Sequence, residues 1–486
     1  MNMTKQDYQR VGVIDVGSNS VRLVVFDGVA RSPAYFFNEK VLCGLGTGLA
    51  QTGKLSPDGR VRALAAVKRF ALLLEHMNVE KISTVATAAV REATDGPAFC
   101  AEVLAETGIE LYVASGEEEA RLSAQGVLLG WPEANGIVCD IGGASMELAR
   151  LKNGLVGQRA TSPLGPLKLA DFDGDLEGFI RETVLTTMQS IQASEGQPMF
   201  LVGGSWRAIA RLDMARREYP LHVLHEYKMT ADQMAETAAW IATQEPEELT
   251  TFTDTSRARL NLVPLAAKVM HGLIDVLKPA EIAISSYGIR EGMLFEAMPP
   301  AMRGLDPLIE SCRYMESTNA RFPGFGDALF EWLANLFLGE DPRLVRAACL
   351  LHDTTWRAHP DYRADMCFET VTRANLGAID HEGRLFLAWA IRSRYESTKS
   401  ELGASLALLP LKKVEKARCL GLAMRLGAMI SGAQAVMLKD TVLVVEDDLL
   451  RLTMSGNAKA LMGEVVDKRL QNLAKAMGLS PTLDLR

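Results

Sequence analysis

The 486-residue chain contains no C-x-x-C pair, and its seven cysteines (43, 100, 139, 312, 349, 367 and 419) are scattered and odd in number. That pattern excludes a disulfide scaffold and a zinc ribbon, and predicts a reduced, cytoplasmic protein. No apolar run approaches the roughly 18 residues of a membrane span, and the opening MNMTKQDYQR has no apolar signal core. No membrane partner is expected. An excess of positive charge is also missing: 52 Lys and Arg face 60 Asp and Glu, for a net charge of −8. No basic field for nucleic acid exists, so a polyanion must be gripped by a local basic site or through metal ions. What the chain has is length and apolar content. At 48% hydrophobic residues it can bury several cores, and its size predicts about three or four units.

One pattern occurs twice. VGVIDVGSNSVRLVVFD (11–27) is an apolar run ending in Asp15, a turn through Gly17, Ser18, Asn19 and Ser20, and a second apolar run. About 125 residues later IVCDIGGASMELARL (137–151) repeats it with Asp140, Gly142, Gly143, Ser145 and Glu147. Both read as β-hairpins, rich in Val and Ile with Gly at the bend. Between them lie an extended segment near 35–43 and a loop with Gly44, Gly46 and Gly48, read as either a phosphate cradle or a plain loop. A helix from Pro57 follows, with Val61, Leu64, Val67, Ala71 and Leu74 on one face. Next come a strand at 81–86 with Arg91 just beyond it, a helix near 97–107 and a strand at 110–114. SGEEEARLSAQ (115–125) starts a helix with Ser115 as N-cap and Glu118 completing a capping box. Capping and the helix dipole account for Glu117 and Glu118; Glu119 is left over.

Past the second hairpin we expect a helix at 177–193, a strand at 198–202 running into GGSWRAIARL, helices at 231–243 and 263–277, and a strand at 281–285. From about Arg303 strands give way to amphipathic helices (327–338, 342–351, 384–391 and 412–430). A hairpin turning at 446–448 and a helix at 458–477 close the chain. The composition predicts two α/β units, an all-helical unit and a small α/β tail.

Phosphoryl transfer needs charge neutralisation on the non-bridging oxygens and an in-line nucleophile. Backbone amides at Gly17, Ser18 and Asn19, at Gly142, Gly143 and Ser145, and at Gly203, Gly204 and Ser205 can cradle phosphate oxygens, since glycine permits close backbone approach. Asp15, Asp140 and Glu147 suit Mg²⁺, which keeps waters and takes one or two protein oxygens. Arg91 can pair with phosphate in a bidentate manner, and Glu119 can orient and deprotonate a water. A single Asp before a Gly turn is as readily an Asx-turn former; the repetition is what points to chemistry.

In their order, IDVGSNSVRLVV, TAAVREA, SGEEEARL, CDIGGASMEL, VGGSWRAIA and SYGIREGML resemble the exopolyphosphatase and guanosine pentaphosphate phosphatase (Ppx/GppA) family over most of residues 10–300. The resemblance implies two RNase H-like domains of the actin/Hsp70/sugar-kinase superfamily (1–122 and 123–300) around a cleft. An all-helical HD-like domain (301–434) and a small α/β domain (435–486) would follow. It implies Glu119 as the catalytic base, Arg91 on the substrate phosphate, Asp140 and Glu147 at the metal and phosphate, and a homodimer. The second loop departs from the family's D-I-G-G-G-S-T-E, with Ala144 for the third Gly and Met146 for Thr. Ala144 would be strained if that backbone needed φ > 0, and Trp206 stands where a small residue is usual.

LLHDTTW carries a His352–Asp353 pair like that of HD phosphohydrolases, without an upstream His after His271 to complete a metal set. Arg392, Arg394, Lys399, Lys412, Lys413 and Lys416 line either a channel for a long polyanion or an ordinary solvated face. The expected activity is release of terminal phosphate from inorganic polyphosphate with Mg²⁺ or Mn²⁺. The runner-up is 5′-phosphohydrolysis of pppGpp to ppGpp; a superfamily kinase and a non-catalytic alarmone sensor are the more distant rivals.

Overall fold

The computed structural model describes residues 9–28, 30–396 and 403–486, so Lys399 lies outside the described residues. The chain forms two compact units, Met1–Leu305 and Asp306–Arg486.

The first unit holds two sheets built to one plan. β1 (Val11–Val16), β2 (Ser20–Phe26), β3 (Tyr35–Leu42) and β4 (Lys81–Ala86) stand in the order β3-β2-β1-β4. The first three strands are antiparallel neighbours and β4 runs parallel to β1. In the second sheet β5 (Gly136–Ile141), β6 (Met146–Lys152), β7 (Leu155–Ser162) and β8 (Met199–Val202) repeat that order and those directions. β9 (Lys228–Met229) and β10 (Ile282–Ile284) extend it beyond β8. The register equates the two hairpins residue by residue. Asp15 faces Arg22 across the first, and Asp140 faces Glu147 across the second.

Each sheet buries one face in a core of its own, and the other faces share a third core. That third cluster draws Val13 and Val24 from one sheet and Val138 and Ala149 from the other. It also takes Ala124 and Leu128 from the helix Gly116–Gly130 and Leu294 from the helix Ile289–Ala297. Two glycines let these helices touch: a Cβ at Gly126 would fall 2.2 Å from Gly288 O, and one at Gly292 only 1.8 Å from Leu122 O. The stretch Arg257–Leu277 is long and apolar enough to cross a membrane, but Val263, Val269, Met270 and Leu273 fill the core of the six-stranded sheet.

Two local expectations are corrected. The strand at 110–114 is reduced to a single bridge between Ala86 and Val113. Thr84 explains why: its hydroxyl donates to Glu110 O (2.7 Å) and accepts from Tyr112 N (3.0 Å), taking the place of ladder bonds. Only half of the capping box forms. Ser115 accepts from Glu118 N at 3.2 Å, but the Glu118 carboxylate turns outward to Arg121 at 2.6 Å, where an ion pair is better satisfied than a lone backbone amide.

In the second unit, helices including Pro307–Asn319, Pro342–Leu351, His381–Tyr395 and Leu411–Ser431 precede β11 (Thr441–Glu446), β12 (Leu449–Met454), the helix Glu464–Met477 and β13 (Ser480–Leu485). Leu443, Leu450, Leu452 and Met454 of the tail belong to the same apolar core as Leu329 and Leu420 of the helices.

Candidate active site

The two hairpin turns open into one cleft of about 220 Å³ in the first unit. They are the same turn: Gly17 N donates to Ser20 O at 3.0 Å, and Gly142 N to Ser145 O at 2.9 Å. Those two amides are therefore spent inside the turns and do not cradle a ligand. The carbonyls are spent too. Cys43 N and Gly44 N both donate to Asn19 O (3.0 Å), Gly46 N donates to Ser18 O (2.8 Å), and Leu167 N donates to Gly143 O (2.8 Å). With the carbonyls tied back, the amides of Ser18, Asn19, Gly143 and Ala144 meet no protein acceptor among the described residues and are left for an anion. The Gly44–Gly48 loop is thus a buttress for the first turn rather than a cradle of its own. A Cβ at Gly46 would come within 3.2 Å of Ser18 Cβ and 3.4 Å of Ala89 Cβ, so a larger residue there would press on the turn.

The departures in the second loop are accommodated. Ala144 is absent from the residues with positive φ, so its Cβ carries no left-handed strain. Met146 and Trp206 are fully buried in the core of the second sheet, away from the cleft. The third glycine cradle is partly as expected: Gly204 and Ser205 line the cleft, and Gly203 makes the sharp turn behind them with φ 117°.

Four carboxylates line the cleft: Asp15, Asp140, Glu147 and Glu119. Burial pushes each towards its protonated form, because a low-dielectric wall disfavours the ion. Asp15 is steadied by Arg290 at 3.0 Å, Asp140 by the Ser123 hydroxyl, and Glu147 by Thr161 Oγ1 at 3.0 Å. Glu119, only 5% exposed, accepts from Arg91 Nη1. Burial outweighs that pairing, and the charges of Asp140 and Asp15 add to it, so the Glu119 carboxyl is pushed up to about 7. Arg91 does not line the cleft; the same Nη1 also donates to Ala114 O at 2.8 Å. No three acidic, His or Cys side chains are gathered tightly enough among the described residues to hold an ion unaided. Hard carboxylate oxygens that raise one another's pKa values still fit a divalent cation that keeps most of its waters and takes one or two protein ligands.

Sequence reasoning missed most of the cations, Arg207 on the helix after the third cradle excepted. Lys40 and Arg259 line the cleft, and Arg22, Arg207 and Arg290 bear on it electrostatically. Ser123 was missed as well, although its spacing four residues after Glu119 on one helix was a usable signal.

The second unit does not assemble the expected basic stripe. Arg392 pairs with Asp365 (2.9 Å) and Glu396 (2.8 Å), and Lys413 with Glu340 (2.9 Å). Arg394 is buried against Asp353 at 3.6 Å. Among the described residues of that set, only Lys412 and Lys416 stand exposed, on the helix Leu411–Ser431. In the His352–Asp353 pair, Asp353 is held bidentately by Arg321 at 2.8 Å. His352 is fully buried, with Nδ1 on Cys349 O at 2.9 Å and its pKa pulled down to about 3, first by burial and then by Arg394. Guanidinium groups meet the carboxylate where a metal would otherwise be required.

Comparison with known proteins follows the same division. A family model described as the Ppx/GppA phosphatase family matches residues 24–301, and one described as the exopolyphosphatase C-terminal domain matches 328–483. Exopolyphosphatase 1 of Mycobacterium tuberculosis is 26% identical over 328 residues, 64% of this chain and 94% of that protein. Exopolyphosphatase 2 of the same organism is 36% identical over 150 residues, 29% of this chain and 47% of that protein. Among solved structures, an exopolyphosphatase from Cytophaga hutchinsonii superposes with a TM-score of 0.55 at 22% identity, covering 61% of this chain and 99% of that one. The Aquifex aeolicus member gives 0.52 at 24%, covering 59% and 97%. These structures share the fold of paired α/β lobes.

Proposed function

The chain belongs to the Ppx/GppA phosphatase family, and from that premise we infer that it is an exopolyphosphatase, a phosphoanhydride hydrolase that removes terminal phosphate from inorganic polyphosphate. The observation that carries this reading is the placement of Glu119, a carboxyl poised near neutrality, in the cleft onto which both phosphate-sized turns open. A general base works best when its pKa lies near the working pH.

In the proposed reaction the free amides of the two turns hold the terminal phosphate. Water attacks its phosphorus, and the water's proton passes to Glu119. The bond from that phosphorus to the bridging oxygen breaks, leaving orthophosphate and a chain shorter by one. Asp15, Asp140 and Glu147 would hold Mg²⁺ or Mn²⁺, which neutralises charge on the transferring group. Arg91 orients Glu119 from behind the cleft lining. The seven unpaired cysteines support a reducing, cytoplasmic setting, and a homodimer, checked by light scattering, completes the reading.

The test compares phosphate release from long-chain polyphosphate with release from pppGpp, which presents the same terminal anhydride. Polyphosphate is expected to be the better substrate by kcat/KM. Release should stop with EDTA and return with added Mg²⁺ or Mn²⁺. A preference for pppGpp would make the nucleotide the substrate, and full activity in EDTA would remove the metal from the scheme.

The pH profile is a second check. The base must be ionised, so kcat/KM should rise through about pH 7. Arg91 lowers the Glu119 pKa through its hydrogen bond and charge. Arg91→Met should therefore move the ascending limb to higher pH as well as slow the reaction. A limb that stays in place would sever Arg91 from Glu119.

A further inference from the structure

Asp15, Arg22 and Lys40 stand side by side, paired in register across β1, β2 and β3. Directly paired residues share one face of a sheet. Exposure rises along the row: Asp15 and Arg22 are partly buried, and Lys40 is open to solvent while still lining the cleft. Arg259 lines the cleft too. It lies over Gly204, where a Cβ would fall 1.2 Å from its Nη1, so a bare glycine backbone is what gives the guanidinium its seat.

The charges that weigh most on Lys40 are all cations, from Arg259, Arg22, Arg290 and Arg207. The protein surface around its stem, which lowers its solvation, and these neighbours pull its ammonium down to about 8. Arg290 is paired with Asp15, but neither Lys40 nor Arg259 has an ion-pair partner among the described residues, so their mutual repulsion stands until an anion is placed between them. The Cα of Lys40 is two strand spacings from that of Asp15, about 10 Å. Lys40 is thereby placed to serve the groups behind the phosphate at the turns.

Resting on the phosphate-releasing reading above, we propose that Lys40 and Arg259 form a chain-exit subsite that binds the phosphates behind the scissile one and leads a linear phosphate chain outward over β2 and β3. The phosphates held there do not change in the reaction. The subsite therefore supplies uniform binding, whose loss raises KM.

Steady-state release from long-chain polyphosphate and from tripolyphosphate, with Lys40→Gln, Arg259→Gln and Lys40→Arg, tests this. Each Gln variant should raise KM for the long chain by about tenfold, the scale of one charge-assisted hydrogen bond. The rise should be smaller for tripolyphosphate, and Lys40→Arg should restore most of the affinity. An unchanged long-chain KM in both Gln variants, or a loss confined to kcat, overturns the subsite. Equilibrium binding of long-chain polyphosphate to the same proteins separates the two claims. Tight binding by the wild type, weakened in Lys40→Gln but without turnover in either, would sink the exopolyphosphatase reading and leave the subsite standing. Equal binding by wild type and variant would sink the subsite alone.

Discussion

Glu119→Gln is expected to lower phosphate release from polyphosphate by about 100- to 10,000-fold, the usual contribution of a positioned general base. Glutamine keeps the shape and can still accept from Arg91, so the variant removes the proton acceptor and little else. Folding provides an internal control with a definite sign. The folded-state pKa of Glu119 lies near 7, above the ordinary 4.5. The stability associated with its neutral form is therefore complete below about pH 4.5 and is lost as pH rises through about 7. Glutamine never ionises. At pH 8 the variant should melt no lower than the wild type, and the two should converge at low pH. Lost activity with retained stability assigns the base. Activity within a few-fold of wild type would mean that another group, or the bulk solvent, takes the proton.

The hairpins were legible because each is a local object. An Asp closing an apolar strand, one apolar residue, Gly and small hydroxyl residues fit within a dozen positions, and seeing them twice supplied the second half of the cleft. Glu119 was legible by subtraction, since capping claims its neighbours. Even there the sequence suggested a finished capping box, and the structure spends Glu118 on Arg121 instead. The cations of the cleft were not legible, because nothing local marks them. Lys40 reaches the site through the register of β3 on β2, and Arg259 through a glycine more than 50 residues away in sequence.

In the second unit the row of basic residues left two readings open, a polyanion channel or a solvated face, and Arg392, Arg394 and Lys413 turn out to be paired. Their counter-ions Asp365, Asp353 and Glu340 arrive from other helices and loops. The same limit applies to Gly44 and Gly46. Their spacing suggested a cradle, and only tertiary contact shows their amides holding the carbonyls of the first turn. Sequence patterns gave the local turn; which polar groups remain free in it was decided by segments 24 residues or more away.

Gly292→Ala is expected to destabilise the first unit by about 3 kcal/mol, the upper part of the range for overpacking a core. That corresponds to a fall in Tm of roughly 5 °C for a unit that runs to Leu305. The added methyl would lie 1.8 Å from Leu122 O, 2.7 Å from Leu122 C and 3.1 Å from Gly126 N, all backbone atoms that no rotamer change can move aside. The helices must part, and they carry the site between them. Gly116–Gly130 bears Glu119 and Ser123, while Ile289–Ala297 bears Arg290, the partner of Asp15. A shift of about 1 Å between reacting groups can cost 100-fold in rate, so phosphate release should fall even well below the melting temperature. Gly304→Ala is the matched control, since its Cβ would meet only Ala301 O at 3.8 Å and its φ of −78° suits any residue. Thermal melts by circular dichroism with release assays at 25 °C read both effects. If Gly292→Ala melts with the control and keeps its activity, the close crossing of the two helices is not what holds Glu119 and Arg290 in place.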